Sequence, residues 1–273
     1  MWERRDVVAV RPGPWSVVAG AGGLVPLAVL AWWWARPALD GATAVRLVGL
    51  FAAFVAIRAV MAVWYNRTVR WHRGVVLLWS GDELAALPPG RVFRVALWMT
   101  PGAWLMGLAC WATGLFPPPP GGWWVFAAVE WPVAQWVLAA GSAWLYTQVV
   151  AALSQALAWH EREAGTWRVV ARLEPHRFRV VAATMVFGWI AAGSVGSILL
   201  LMTGLTVLAG HLPAGYFGLG VALFVGLVLA LFGLVAAVVL GLWAYVLARV
   251  YNAWAARGGG FAYRVRRVGI PVG

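Results

Sequence analysis

The sequence predicts an all-α polytopic membrane protein, with six transmembrane helices in three tandem helical hairpins and short cytoplasmic β-strands at the repeat junctions. Three observations lead there. First, 63% of the 273 residues are hydrophobic and 11% are charged, whereas soluble domains run to about 45–50% apolar and about 25% charged. Second, uncharged runs at 15–35, 95–129, 131–159, 180–210 and 212–248 each supply the roughly 20 residues a helix needs to cross about 30 Å of hydrocarbon. A sixth run, 44–66, is broken only by Arg46 and Arg58. Third, the runs pair into hairpins that open and close alike.

The N-terminus carries Glu3, Arg4, Arg5 and Asp6, with no small-residue cleavage site after the first apolar run. That run is read as a retained anchor rather than a signal peptide. The hairpins open at Pro12-Gly13-Pro14-Trp15-Ser16, Pro89-Gly90-Arg91-Val92-Phe93 and Pro175-His176-Arg177-Phe178-Arg179. Proline suits a first helical turn, where its missing N–H costs nothing. Tyr65-Asn66, Ser154-Gln155 and Tyr251-Asn252 close them. Strand-like runs follow at Gly74 to Trp79, Thr166 to Leu173 and Phe261 to Val268, and Asp6 to Val10 precedes the first hairpin. In 166–173 and 261–268 polar and apolar residues alternate, the period of a strand with one buried face. The expected repeats are 1–80, 81–173 and 174–273, within one membrane domain.

Charge sets orientation. All 21 cations are arginine and the net charge is +12. Arginines crowd the N-terminus, the second and fourth inter-span loops and the C-terminus, and are sparse in the alternate loops. The positive-inside rule then places both termini in the cytoplasm of a bacterial inner membrane. Trp32, Trp33, Trp34, Trp123 and Trp124 would mark the outer interface, and Trp64, Trp71, Trp159 and Trp254 the inner one. Cys110 is the single cysteine, which excludes an intrachain disulfide.

The closing stretch Leu247 to Phe261, with Tyr251-Asn252, Ala253 and Gly258-Gly259-Gly260, resembles the end of small prokaryotic transmembrane proteins of unknown function. Those proteins end in a Tyr-Asn, Ala, Gly-Gly pattern and a strand. The resemblance covers about ninety residues of the third repeat, and more weakly the first through Tyr65-Asn66. It implies a small membrane protein built of helical hairpins, and no catalytic residue.

Several residues invite a role. Arg58 and Glu130 are formal charges at depth, where an ionisable group signals function by default. The Arg58 guanidinium is expected to reach the cytoplasmic interface or to be satisfied inside the bundle. Thr147, Gln148, Ser154 and Gln155 share one face of the fourth span, as the wall of a hydrated path or as interhelical hydrogen-bonding groups. Gly226, Ala230, Gly233, Ala237 and Gly241 form a small-residue ridge for close helix packing. Arg168, Arg172, Arg264 and Arg266 stand on the polar faces of strands, disposed toward anionic headgroups or a partner. His160-Glu161 has Ala164 where a zinc protease needs a second histidine. No catalytic, cofactor or metal site is expected.

The expected function is a non-enzymatic scaffold or accessory subunit of a membrane assembly. Its expected partners are the bilayer and a second copy or another membrane protein, with no nucleic acid. The alternative is a small channel or transporter with a polar path along the fourth span.

Overall fold

A computed structural model describes residues 3–11, 41–81, 83–114, 122, 125–151, 156–209 and 215–268. The element order is β1 (Glu3–Val10), α1 (Gly41–His72), β2 (Val75–Ser80), β3 (Glu83–Ala86), α2 (Pro89–Trp98) and α3 (Thr100–Thr113). A π-helical turn (Phe126–Glu130), α4 (Trp131–Leu145) and a second π-helical turn (Tyr146–Val150) follow. The chain continues through β4 (Trp159–Ala164), β5 (Trp167–Leu173), α5 (Pro175–Ala209) and α6 (Gly215–Trp254). A third π-helical turn (Ala255–Gly259) and β6 (Ala262–Val268) complete it.

The all-α expectation of six transmembrane helices is overturned. The six strands form one antiparallel sheet in the order β3-β2-β1-β6-β5-β4. Among the described residues, only Val45–His72, Pro175–Gly196 and Leu223–Arg257 are long and apolar enough to cross a membrane. A fourth span results if α2 and α3, bent by 59° at Met99, count as one. The uncharged run 131–159 does not form one long helix, because apolarity alone does not fix where a helix ends. It divides into a 15-residue helix, a π-helical turn and the approach to β4. The charged β4 and the short β3 carried no strand pattern, yet both join the sheet.

The chain divides into two compact units, Met1–Glu174 with Leu247–Gly273, and Pro175–Val246. In the first, the edge strands β3 and β4 are tied by a bridge between Glu83 and Ala158, and Leu84 N donates to Leu157 O at 2.9 Å. The sheet therefore closes into a six-stranded barrel, which leaves no long strand edge to pair with another chain. Gly81 (φ 61°) and Gly165 (φ 63°) turn β2 into β3 and β4 into β5. The extended segments expected at 166–173 and 261–268 are β5 and β6, and they pair with each other.

Register shifts skip one residue in three strands: Val8 of β1 opposite β6, Ala85 of β3 opposite β2, and Ala171 of β5 opposite β4. Such a bulge reverses which side chains face inward. It explains why Arg168 lies among the barrel's inward groups while Arg172 is exposed, although strict alternation places both on one face.

The second unit is the α5 hairpin with most of α6. A Cβ on Gly226 would stand 2.7 Å from Ile198 Cδ1, one on Gly233 2.7 Å from Ile190 Cγ2, and one on Gly241 3.1 Å from Ala183 Cβ. Ala237 is buried and Ala230 is exposed. The ridge is thus used within this hairpin, where close backbone approach supplies dispersion contact.

Candidate functional site

Three tyrosines lock helix ends to the barrel. Tyr65 Oη donates to Val7 O (2.6 Å) and accepts from Val75 N (3.1 Å). Tyr146 Oη donates to Leu84 O (2.6 Å) and accepts from Leu157 N (2.9 Å). Tyr251 Oη donates to Val170 O and accepts from Phe261 N (3.0 Å). The next residue then clamps the backbone three positions beyond the tyrosine's acceptor. Asn66 Oδ1 accepts from Val10 N and its Nδ2 donates to Val10 O, both at 2.8 Å. Asn252 grips Leu173 N (2.7 Å) and O (2.9 Å) in the same way. Thr147 Oγ1 accepts from Leu87 N at 3.0 Å and lies 3.1 Å from Leu87 O.

The bulges explain the demand. Val8, Ala85 and Ala171 each follow the tyrosine's acceptor directly and interrupt the ladder there. Backbone groups freed near a bulge must find partners when buried. The hydroxyl supplies both an acceptor and a donor. Tyr65, Tyr146 and Tyr251 are all buried, and burial pushes the Tyr146 hydroxyl up to about 12. Close approach at this corner also requires glycine. A Cβ on Gly74 would stand 2.1 Å from Val7 O, and one on Gly260 2.6 Å from Val170 O.

Sequence alignment by Tyr-Asn placed Ser154-Gln155 in the second hairpin's clamp. Those two residues lie outside the described part of the chain, and Tyr146-Thr147 makes these bonds instead. The available signal was a tyrosine 11 residues before the strand-side Leu157, against 10 in the other two clamps. Threonine in place of asparagine concealed it.

The barrel's inward face centres on Glu161. Its Oε2 takes Arg168 Nη1 at 2.6 Å and Arg5 Nη1 at 3.3 Å. Its Oε1 accepts from Trp159 Nε1 at 3.1 Å and from the Tyr263 hydroxyl. Arg5 also pairs with Glu3 at 2.8 Å and stacks 4.6 Å above the Trp79 ring, which meets Trp159 edge-on. The side chains of Arg5, Glu161 and Arg168 are only 11%, 12% and 14% exposed. Arg168 reaches on to Glu163, which is 76% exposed, so the network runs from the interior to a solvent-facing rim.

The electrostatics follow from burial. Desolvation, then the Glu161 carboxylate, pushes the Tyr263 hydroxyl well above its ordinary value. Burial works against the charge of Arg5, but Glu3 and Glu161 more than offset it, so its pKa is raised. A carboxylate has about four lone-pair sites. Glu161 gives them to two guanidinium groups, an indole and a phenol, which leaves it no free site for proton transfer or a metal. Among the described residues, no three His, Cys, Asp or Glu side chains gather as metal ligands.

The other residues singled out by sequence are placed as follows. Arg168 belongs to the inward network, which corrects its assignment to headgroup contact. Arg172, Arg264 and Arg266 are exposed, with Arg264 5.7 Å above the Trp167 ring. Arg58 is exposed on α1, and the first apolar run, its expected hairpin partner, lies outside the described residues. Glu130 is exposed at the end of the first π-helical turn, and no ion pair joins it to Arg58. Gln148 is exposed, and Thr147 serves the clamp rather than a path wall. His72 is fully buried, its Nδ1 accepting from Gly74 N at 3.0 Å, while His176 leans on Tyr245 in the other unit. Sequence reasoning missed Arg5, Trp79, Glu161 and Tyr263, whose association depends on strands 102 to 156 residues apart. Comparison of the chain with protein-family models, with curated proteins and with solved structures gave no match.

Proposed function

We propose that this chain is a non-enzymatic, multi-pass protein of the bacterial cytoplasmic membrane that serves as a scaffold or accessory subunit. The observation that carries the reading is the closed barrel in which Arg5, Trp159, Arg168 and Tyr263 together occupy the acceptor sites of the Glu161 carboxylate. A core in which every acceptor of the central carboxylate is taken is built for rigidity rather than turnover. Apolar helices long enough to cross a membrane leave and enter this barrel. Tyr65-Asn66 and Tyr251-Asn252 fix the ends of α1 and α6 to its strands.

Orientation is part of the proposal. The barrel and the helix ends bonded to it carry most of the arginines, which favours a cytoplasmic barrel and cytoplasmic termini. Exposed Arg172, Arg264 and Arg266 would meet anionic headgroups or a membrane-protein partner there. At the same end of α1, Trp64 Nε1 donates to Trp98 O at 2.8 Å and Trp71 stacks on Trp98, as expected of rings at headgroup depth. We also infer an internal threefold repeat, of the kind the resemblance to small prokaryotic membrane proteins suggests. The clamps and bulges favour strand–hairpin–strand units near 3–80, 83–164 and 167–268.

The test is chemical cross-linking of the tagged chain in native membranes, followed by purification and quantitative mass spectrometry. A stoichiometric protein partner, or a cross-linked homo-oligomer, is the expected result. A solitary chain that conducts ions or solutes across vesicles would overturn the scaffold reading. Impermeant thiol labelling of Arg264→Cys in sealed cells checks the orientation, and labelling from outside would defeat it.

A further inference from the structure

α2 and α4 leave an open groove of about 380 Å³ between them, lined by Val92, Val95 and Met99 of α2 and by Gln135, Leu138 and Ala139 of α4. That volume falls in the range of small-ligand pockets, roughly 300–1,000 Å³. All but one of these residues are apolar. The 59° bend at Met99 takes α2 out of line with α3, and α2 exposes Phe93, Leu97 and Trp98 beside Arg91 and Arg94. Apolar and basic residues on one short helix suit the membrane interface. Trp98, stacked 5.3 Å from Trp71, fits that depth.

Arg91 adds a charge without an answer. It lies one turn before Val95, about 40° from it around the helix, and so flanks the groove. Its Nη1 is shielded from solvent and finds no hydrogen-bond acceptor among the described residues. A desolvated cationic donor without an acceptor is costly, and a phosphate oxygen would complete it. An apolar trough flanked by a cation matches the two ends of one molecule.

We propose that the α2–α4 groove binds one anionic phospholipid, with an acyl chain along Val92, Val95, Met99 and Leu138 and the phosphate on Arg91. The inference rests on the membrane-embedded reading above, and its test separates the two.

The full chain is reconstituted in vesicles that contain a trace of phosphatidylglycerol with a photoactivatable acyl chain. A parallel sample carries phosphatidylcholine with the same chain, and labelled peptides are mapped by mass spectrometry. The α2–α4 peptides should take phosphatidylglycerol label in excess over phosphatidylcholine by on the order of tenfold, because both lipids offer a phosphate but the choline's own cation offsets the attraction to Arg91. Arg91→Gln should remove the excess, and Ala139→Phe should remove label of both kinds. Equal labelling by the two lipids overturns the proposal even if Arg91→Gln fails to accumulate. The exposed Phe224, Leu227 and Leu231 of α6 are the internal standard. Label there without enrichment in the groove refutes the site and leaves embedding intact, whereas no label at either place refutes both.

Discussion

Replacing Glu161 by glutamine removes one charge and leaves the shape nearly unchanged, so it isolates the electrostatic part of the barrel core. Glutamine retains one carbonyl for Trp159 or Tyr263, but its amide donors now face the guanidinium groups of Arg168 and Arg5, which stood 2.6 and 3.3 Å from Oε2. Losing one member of a buried ion pair costs about 3–5 kcal/mol because the partner charge stays desolvated. Two features pull this case toward the low end. Arg5 keeps Glu3 at 2.8 Å, and Arg168 keeps the solvent-facing Glu163 at 3.4 Å. The expected loss is about 3 kcal/mol, or about 6–12 °C in apparent Tm at about 2–4 °C per kcal/mol for a unit of this size. Thermal unfolding of the full chain in detergent, followed by the fluorescence of its 21 tryptophans, Trp79 and Trp159 among them, reports it. Glu163→Gln is the control and should shift Tm little, because that side chain is 76% exposed. A Glu161→Gln protein that melts within about 2 °C of the parent, well inside that expected shift, would refute the claim that this network organises the barrel.

Tyr146→Phe deprives Leu157 N and Leu84 O of their shared partner and should cost about 2–6 kcal/mol in thermal unfolding, from about 1–3 for each of the two unsatisfied groups. If the clamps are equivalent, Tyr65→Phe and Tyr251→Phe should cost similar amounts, and a negligible effect in one would break the equivalence. Gly233→Leu must displace Ile190 and should destabilise the α5–α6 hairpin by about 1–3 kcal/mol, whereas the same change at exposed Ala230 should be silent. The tyrosines also give stability a direction with pH. Tyr146 and Tyr263 hold their protons more tightly when folded, so their contribution is complete below their ordinary pKa of 10.0. It is lost as pH rises from there through the folded value, about 12 for Tyr146. Tm should be insensitive to these groups at neutral pH and fall above 10, with delayed tyrosinate absorbance; early titration of all six tyrosines would refute it.

The sequence by itself established what depends on local chemistry. The uncharged runs 180–210 and 212–248 announced long apolar helices, although six spans did not follow. Pro89 and Pro175 marked the first residues of α2 and α5, since a first helical turn tolerates a missing N–H for local reasons. The alternation in 166–173 and 261–268 announced β5 and β6, although the faces it assigned failed where Ala171 bulges. Tertiary structure decided the rest. Closure of six short strands into a barrel needs β3 to meet the segment before β4, and no residue in Glu83–Ala86 advertises a partner more than 70 residues away. The inward network joins Arg5, Glu161 and Tyr263 from three distant strands, and charged residues inside a barrel read, in sequence, as solvent-facing ones. Tyr146 gained its role from a bulge in another strand, because a hydroxyl becomes a clamp only when folding buries backbone groups that the ladder has left unpaired.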